Sequence, residues 1–171
     1  MNRGITLLEM LVVVVVICIL AALALSLQRS TRHPHHVTSC ANNLSQMWKM
    51  QNVYMSRFGG PMKAMPEATG QTFWRALTTT QPPLIDPTVY DIFICPVLGT
   101  SRDGDCDYAG PSRRMNQIAD GDPVGADLPE NHKEDAKGPG SGNVLRKSGD
   151  VLEVTGPDWA KLMTDPNFPV R

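Results

Sequence analysis

The chain has 171 residues, of which 19% are charged, and a formal net charge of -1. That balance supplies no basic face and so no electrostatic case for binding nucleic acid. A mean hydropathy of -0.19 excludes an oily membrane bundle, and the length accommodates one anchor segment plus one small domain.

From Met10 to Leu25 the sequence reads MLVVVVVICILAALAL without one charge. Ile5 to Leu8 extends the apolar stretch, interrupted only by Thr6 and Glu9. As a helix, residues 5–27 span about 34 Å at about 1.5 Å per residue, enough to cross a hydrocarbon core of about 30 Å. A helix in a soluble core carries a polar face, and none is present between Met10 and Leu25. Ala22-Leu23-Ala24 has the small-residue pattern of a signal-peptidase site. Against cleavage there, the apolar run is long and only Met1 to Gly4 precedes it. Cys18 follows Val16 and Ile17 instead of small residues, so no lipoprotein signal is present.

Glu9 decides how this segment is read. A carboxylate near the start of a membrane helix costs about 2–3 kcal/mol on insertion scales, unless a cation neutralises it. Cleavage after Gly4 would expose an α-amine on Ile5, one helical turn from Glu9. The amine of a neighbouring subunit can pair with Glu9 in the same way, making a buried charge into a register device. The bland alternative places Glu9 at headgroup level with no further role.

Arg3-Gly4-Ile5-Thr6-Leu7-Leu8-Glu9 followed by an aliphatic run resembles the type IV prepilin cleavage and methylation motif. The resemblance implies cleavage by a prepilin peptidase between Gly4 and Ile5, N-methylation of Ile5, and a register role for Glu9. Two features depart from the family pattern. Ile5 stands where phenylalanine is commonest, and the apolar segment lacks the proline that many major pilins carry. Charge nearly ties the orientation, with the Met1 amine and Arg3 on one side and Arg29 and Arg32 on the other. The resemblance implies a cytoplasmic leader, a single pass through the bacterial inner membrane, and a domain outside the cytoplasm.

Beyond the anchor, Gln28 to His36 reads QRSTRHPHH, and Pro34 is predicted to kink or interrupt a helix. His33, His35 and His36 flank that proline without preset ligand geometry, and a solvated or headgroup-facing stretch is the preferred reading. Thr38 or Ser39 is predicted to cap a second helical stretch to about Phe58. Its apolar stripe is Cys40, Leu44, Met47, Trp48 and Met55, suited to lie on a sheet, and Gly59-Gly60-Pro61 ends it. Residues 72–78 read as a short helix stopped by Gln81-Pro82-Pro83. Ile92 to Ile94 and Asp107 to Ala109 read as short strands, and residues 143–154 as two strands around Ser148-Gly149. The acidic, Gly/Pro-rich stretch 120–142 reads as an exposed loop, and Trp159 to Met163 as a final turn of helix.

A long N-terminal helix, half transmembrane and half amphipathic, on a small antiparallel sheet gives an α+β, pilin-like architecture. The expected organisation is a leader over 1–4, a spanning helix over 5–27, a juxtamembrane and amphipathic part over 28–58, and a small domain over 59–171. Cys40-Ala41-Asn42-Asn43-Leu44, Phe93-Ile94-Cys95-Pro96, Tyr108-Ala109-Gly110-Pro111 and Gly142-Asn143-Val144-Leu145 also resemble pseudopilin-like proteins of planctomycete-type bacteria. Those carry a domain of the type II secretion major-pseudopilin kind. Arg146-Lys147-Ser148-Gly149-Asp150 stands where the family has a Phe-Ala-Asp-Gly-His stretch, so any role of that histidine is lost here.

Cys18 lies in the apolar segment, where it serves as a small apolar residue. Cys40, Cys95 and Cys106 would lie outside the cytoplasm, where disulfides persist. Cys40–Cys95 across the core is preferred, and Cys95–Cys106 closing a loop is the alternative. Asp103, Asp105 and Asp107 alternate in one loop, with Asp120 and Asp122 nearby, a composition that suits calcium. Major pseudopilins carry a calcium site in a C-terminal loop, but Tyr108 occupies the place of the glycine an EF-hand requires. An ordinary solvated acidic turn is the favoured reading, and calcium is the one cofactor to test. Nothing favours an enzyme: His132 sits in the 120–142 loop, Ser101, Ser112, Ser141 and Ser148 are in turn contexts, and no nucleophile, phosphate-loop or zinc motif occurs. The expected role is a structural subunit whose partners are other pilin-like subunits, a prepilin peptidase and the inner membrane. The alternative is an anchored or secreted binding domain that never polymerises.

Overall fold

The structure is a computed structural model that describes residues 7–86, 90–96, 98, 106–131 and 140–170, with side chains for these except 9, 24–36 and 90. The chain divides into two compact units, Met1–His35 and His36–Arg171. Helix α1 runs from Leu7 to Arg57. The predicted interruption at Pro34 is thereby corrected, as is a separate second helix capped by Thr38 or Ser39. Proline removes one i→i−4 hydrogen bond and crowds the preceding turn, at about 3 kcal/mol. Helix is cooperative once nucleated, so a single lost bond does not end it when long helical stretches lie on either side.

In the second unit, Val37, Cys40, Leu44, Met47, Trp48 and Gln51 of α1 are buried, one stripe at three- and four-residue spacing. Met55, the last residue of the predicted stripe, is only half-buried. Helix α2 (Gln71–Thr79) buries Phe73, Trp74 and Leu77. A 3₁₀ turn follows at Tyr90–Phe93, where residues 92–94 were expected to form a strand. A run of three apolar residues cannot distinguish strand from helical turn by periodicity. Here Asn43 of α1 donates to the Ile94 and Asp91 carbonyls at 3.3 and 3.5 Å, which folds the backbone into a turn against the helix.

Four strands form an antiparallel sheet in the order β1-β2-β3-β4: β1 (Tyr108–Ala109), β2 (Pro123–Asp127), β3 (Ser141–Arg146) and β4 (Val151–Thr155). A second 3₁₀ turn, Met115–Gln117, lies between β1 and β2. The β3–β4 hairpin turns at Ser148-Gly149 as expected, with Gly149 at φ 98, a left-handed value that glycine adopts without strain. Strand β2 corrects the exposed-loop reading of 120–142 where that stretch is described: Val124 and Ala126 are fully buried, and Leu128 and Asn131 nearly or wholly so, while residues 132–139 lie outside the described residues. Its Pro-Val-Gly-Ala-Asp composition hides a strand: proline opens it, the register against β3 shifts between Pro123 and Gly125, and the glycine accommodates a tryptophan. Helix α3 (Gly156–Met163) starts with a proline in its first turn.

The sheet separates two apolar clusters. One face carries Tyr108, Val124 and Leu145 against Cys40, Leu44, Met47, Phe73 and Trp74. The other carries Ala109, Ala126 and Val144 against Trp159 of α3 and Phe168. Close approach explains two glycines: a Cβ on Gly125 would sit 2.7 Å from the Trp74 ring, and one on Gly142 2.4 Å from the Trp159 ring. The architecture is α+β and pilin-like in its order, a long N-terminal helix followed by an antiparallel sheet.

Candidate functional site

Gly4 and Ile5 lie outside the described residues, and Glu9 lies within α1. The large aliphatic residues that follow are described. From Leu7 to Leu23 each is at least 47% exposed, with Leu7 at 85%. Consecutive residues point in all directions around a helix, so among the described residues every side of this segment is exposed. Five consecutive valines are modest helix formers in water. In an apolar medium the backbone has no partner but itself, and helix becomes the required state. Contiguous apolar surface of this extent marks a contact with lipid or with other apolar helices. Among the described residues no helix is long and apolar enough to cross a membrane. The run Met10–Leu23, about 21 Å as helix, is where side chains are described without interruption, and the predicted span over 5–27 extends beyond it at both ends.

The second unit grips its part of α1 with polar groups as well as apolar ones. Gln51, fully buried, donates from Nε2 to the Phe73 carbonyl at 2.6 Å. Asn43 donates to the Tyr108 hydroxyl at 3.0 Å. From the sheet, Asn143 Nδ2 donates both to the Val37 carbonyl at 2.9 Å and to Asp127 Oδ2 at 2.8 Å. The Asn143 backbone N–H meets the same carboxylate oxygen at 2.8 Å. Asn43 and Asn143 belong to the motifs that resemble pseudopilin-like proteins, but their partners were not readable from sequence. Gln51 was missed; its place in the apolar stripe, seven residues after Leu44, was the available signal.

Cys40 and Cys95 are brought together, Sγ to Sγ at 3.3 Å, both fully buried. Cys106 is buried too, but its Sγ faces the Tyr108 carbonyl at 3.6 Å. All four cysteines are thiols in the structure, and Cys18 is exposed. The hydrogen bond with Cys95 and burial push the Cys40 thiol up from its ordinary value, and burial, then the neighbouring Cys40, push the Tyr108 phenol up.

Of the calcium candidates, Asp103 and Asp105 lie outside the described residues. Asp107 turns Oδ2 to the backbone N–H of Cys95 at 2.9 Å. Its own backbone bonds Phe93 and Asn131. Among the described residues no group of three His, Cys, Asp or Glu side chains is placed to hold a metal. His132 and Ser101 also lie outside them. Ser112 donates to the distant Asn167 carbonyl, and Ser148, in the β3–β4 turn, donates to the Asp150 carboxylate. A cavity of about 620 Å³ lies between β3, β4 and α3, with Val144, Leu152, Val154 and Leu162 in its lining and Arg146, Asp158, Lys161 and Asp165 about them.

Residues 1–25 match the prokaryotic N-terminal methylation motif. No curated protein and no solved structure matches the chain. The chain carries a prepilin-type amino terminus. The match ends before the motifs around Cys40, Cys95, Gly110 and Asn143.

Proposed function

We propose that this chain is a structural, pilin-like subunit of a type II secretion pseudopilus or a related type IV filament. Prepilin peptidase cleaves it between Gly4 and Ile5, Ile5 is N-methylated, and the domain lies outside the cytoplasm of a cell whose inner membrane holds the helix. The reading is carried by one observation: the methylation motif at residues 1–25 contains a helical segment whose aliphatic side chains are exposed from Leu7 to Leu23. Before assembly lipid covers that surface; in the filament the same segments of neighbouring copies cover it. Transfer between the two media costs little, because lipid tails and packed aliphatic side chains are similarly apolar, and packing and polar contacts then decide association. Glu9 supplies the polar contact, pairing with the amine of Ile5 in an adjacent copy and so setting register. The function is mechanical, with no catalytic step.

Mass spectrometry of the mature amino terminus tests this. A start at N-methylated Ile5 is expected; retention of Met1, or a start after Ala24, refutes it and leaves an anchored or exported binding domain. Glu9→Ala should be cleaved normally and enter filaments poorly, and normal incorporation would remove the register role.

A further inference from the structure

The two thiols that meet are held together by groups other than themselves. Cys40 lies on the inner stripe of α1, and Cys95 follows the 3₁₀ turn at Tyr90–Phe93 by two residues. Asp107 holds the Cys95 backbone N–H at 2.9 Å, and the Asp107 N–H holds the Phe93 carbonyl at 2.7 Å. Asn43, three residues along α1 from Cys40, holds the Ile94 carbonyl at 3.3 Å. The backbone leading into Cys95 is therefore anchored to Asp107, immediately before β1, and to α1, and it delivers one sulfur to within 3.3 Å of the other. A disulfide requires about 2.05 Å, so the two sulfurs have little more than 1 Å left to close. Cys106, the competing partner, turns its sulfur to a carbonyl.

We infer that Cys40 and Cys95 form a structural disulfide that fastens α1 to the segment after the 3₁₀ turn, leaving Cys18 and Cys106 as thiols. The oxidising surroundings this needs rest on the export of the second unit proposed above. The oxidant is a disulfide of a thiol oxidoreductase or of glutathione. One cysteine thiolate attacks it, forming a mixed disulfide and releasing one thiol. The second thiolate then attacks the protein sulfur of that mixed disulfide and expels the other thiol. The protein loses two electrons and two protons, and the oxidant gains both.

Burial sets the timing. With both residues fully buried, neither sulfur is open to an oxidant once the core has closed. Their mutual hydrogen bond and burial also disfavour the Cys40 thiolate that exchange requires. The bond therefore forms before the core closes, and it resists reduction afterwards. It is a staple, not a switch.

The full chain, solubilised in detergent, reduced and denatured, is refolded with oxidised and reduced glutathione, alkylated and mapped as peptides. The expected product has one link, Cys40 to Cys95, with Cys18 and Cys106 alkylated. Because the link closes a loop between residues 55 apart, the oxidised chain should melt about 10 °C above the reduced one. Millimolar dithiothreitol should break the bond only when denaturant is added. Cys106→Ala should form the same link. A Cys95–Cys106 link, or a folded product with four thiols, overturns the inference. Chain extracted from cells under alkylating conditions separates the two readings. Thiols there, alongside a Cys40–Cys95 link after refolding, would refute export of the domain while upholding the pairing.

Discussion

Asn143→Ala tests how the sheet holds the helix. The substitution removes two hydrogen bonds from Nδ2, one to the Val37 carbonyl at 2.9 Å and one to Asp127 Oδ2 at 2.8 Å. The first contributes about 1 kcal/mol net, and the second, to a carboxylate, about 1.5–3 kcal/mol. The backbone N–H of residue 143 still meets Asp127 at 2.8 Å, so the carboxylate keeps part of its support and the lower end of that range applies. The expected loss is about 2.5 kcal/mol, or about 8 °C in Tm for a unit of this size. Thermal unfolding of the detergent-solubilised chain, followed by near-ultraviolet circular dichroism, reads the loss. Asn143→Leu controls for volume: it refills the site but cannot donate, and should be no more stable than Asn143→Ala. A double-mutant cycle with Asp127→Ala should show coupling of about 1.5 kcal/mol. A loss below 1 kcal/mol in Asn143→Ala, or recovery of parent stability in Asn143→Leu, would refute the claim that polar pairing secures this contact.

Gly142→Ala places a Cβ against three Trp159 ring atoms at 2.4–2.9 Å and should cost about 1–3 kcal/mol; Trp159→Phe in the same chain should recover part of it, as denaturant melts will show. Burial raises the Tyr108 phenol in the folded chain, so the native state holds its proton where the unfolded state, near the ordinary value of about 10, releases it. Stability from this group is complete below that value and falls as pH rises through and above it, and Tyr108→Phe should flatten the decline measured between pH 9 and about 11.5. Calcium at millimolar concentration should leave Tm unchanged, since Asp107 already serves the Cys95 N–H; a rise of several degrees, with heat in calorimetry, would establish Asp103, Asp105 and Asp107 as ligands. Gln51 makes one strong bond to Phe73, while among the described residues its Oε1 has no hydrogen-bond partner. Gln51→Leu should therefore change stability by less than about 1 kcal/mol, and a loss above about 2 kcal/mol would show that Oε1 is satisfied.

Much of this fold was legible where periodicity is long or turn chemistry is explicit. The stripe from Cys40 to Trp48 lies against the sheet, and Gly59-Gly60-Pro61 does follow the end of α1 at Arg57. The β3–β4 hairpin and α3 also stand where Ser148-Gly149 and Trp159 pointed. Strand β2 was illegible because Pro123 and Gly125 are loop residues by composition, and only the position of Trp74 shows why glycine is needed. The helix through Pro34 was misread because a local rule was applied to a segment whose neighbours on both sides are helical. At the amino terminus the situation is reversed. Gly4, Ile5 and Glu9 were readable only as a motif.

The apolar stripe explains why α1 lies on the sheet, but it does not explain why at one level. Hydrophobic contact is non-directional, and a helix with buried residues every three or four positions can slide by one turn, about 5.4 Å, and still bury a stripe. Polar groups inside the interface remove that freedom. The hooks act on Val37, Asn43 and Gln51, which span about 21 Å of helix. A one-turn slip would break all of them at once and leave the Phe73 and Val37 contacts facing apolar neighbours. Each hook contributes modest stability, whereas together they penalise every alternative register, which is the better-attested use of buried polar groups. On the function proposed above, a subunit repeating along a filament needs that property more than it needs additional stability. Cys40 lies between Val37 and Asn43, within the stretch of helix that these contacts index.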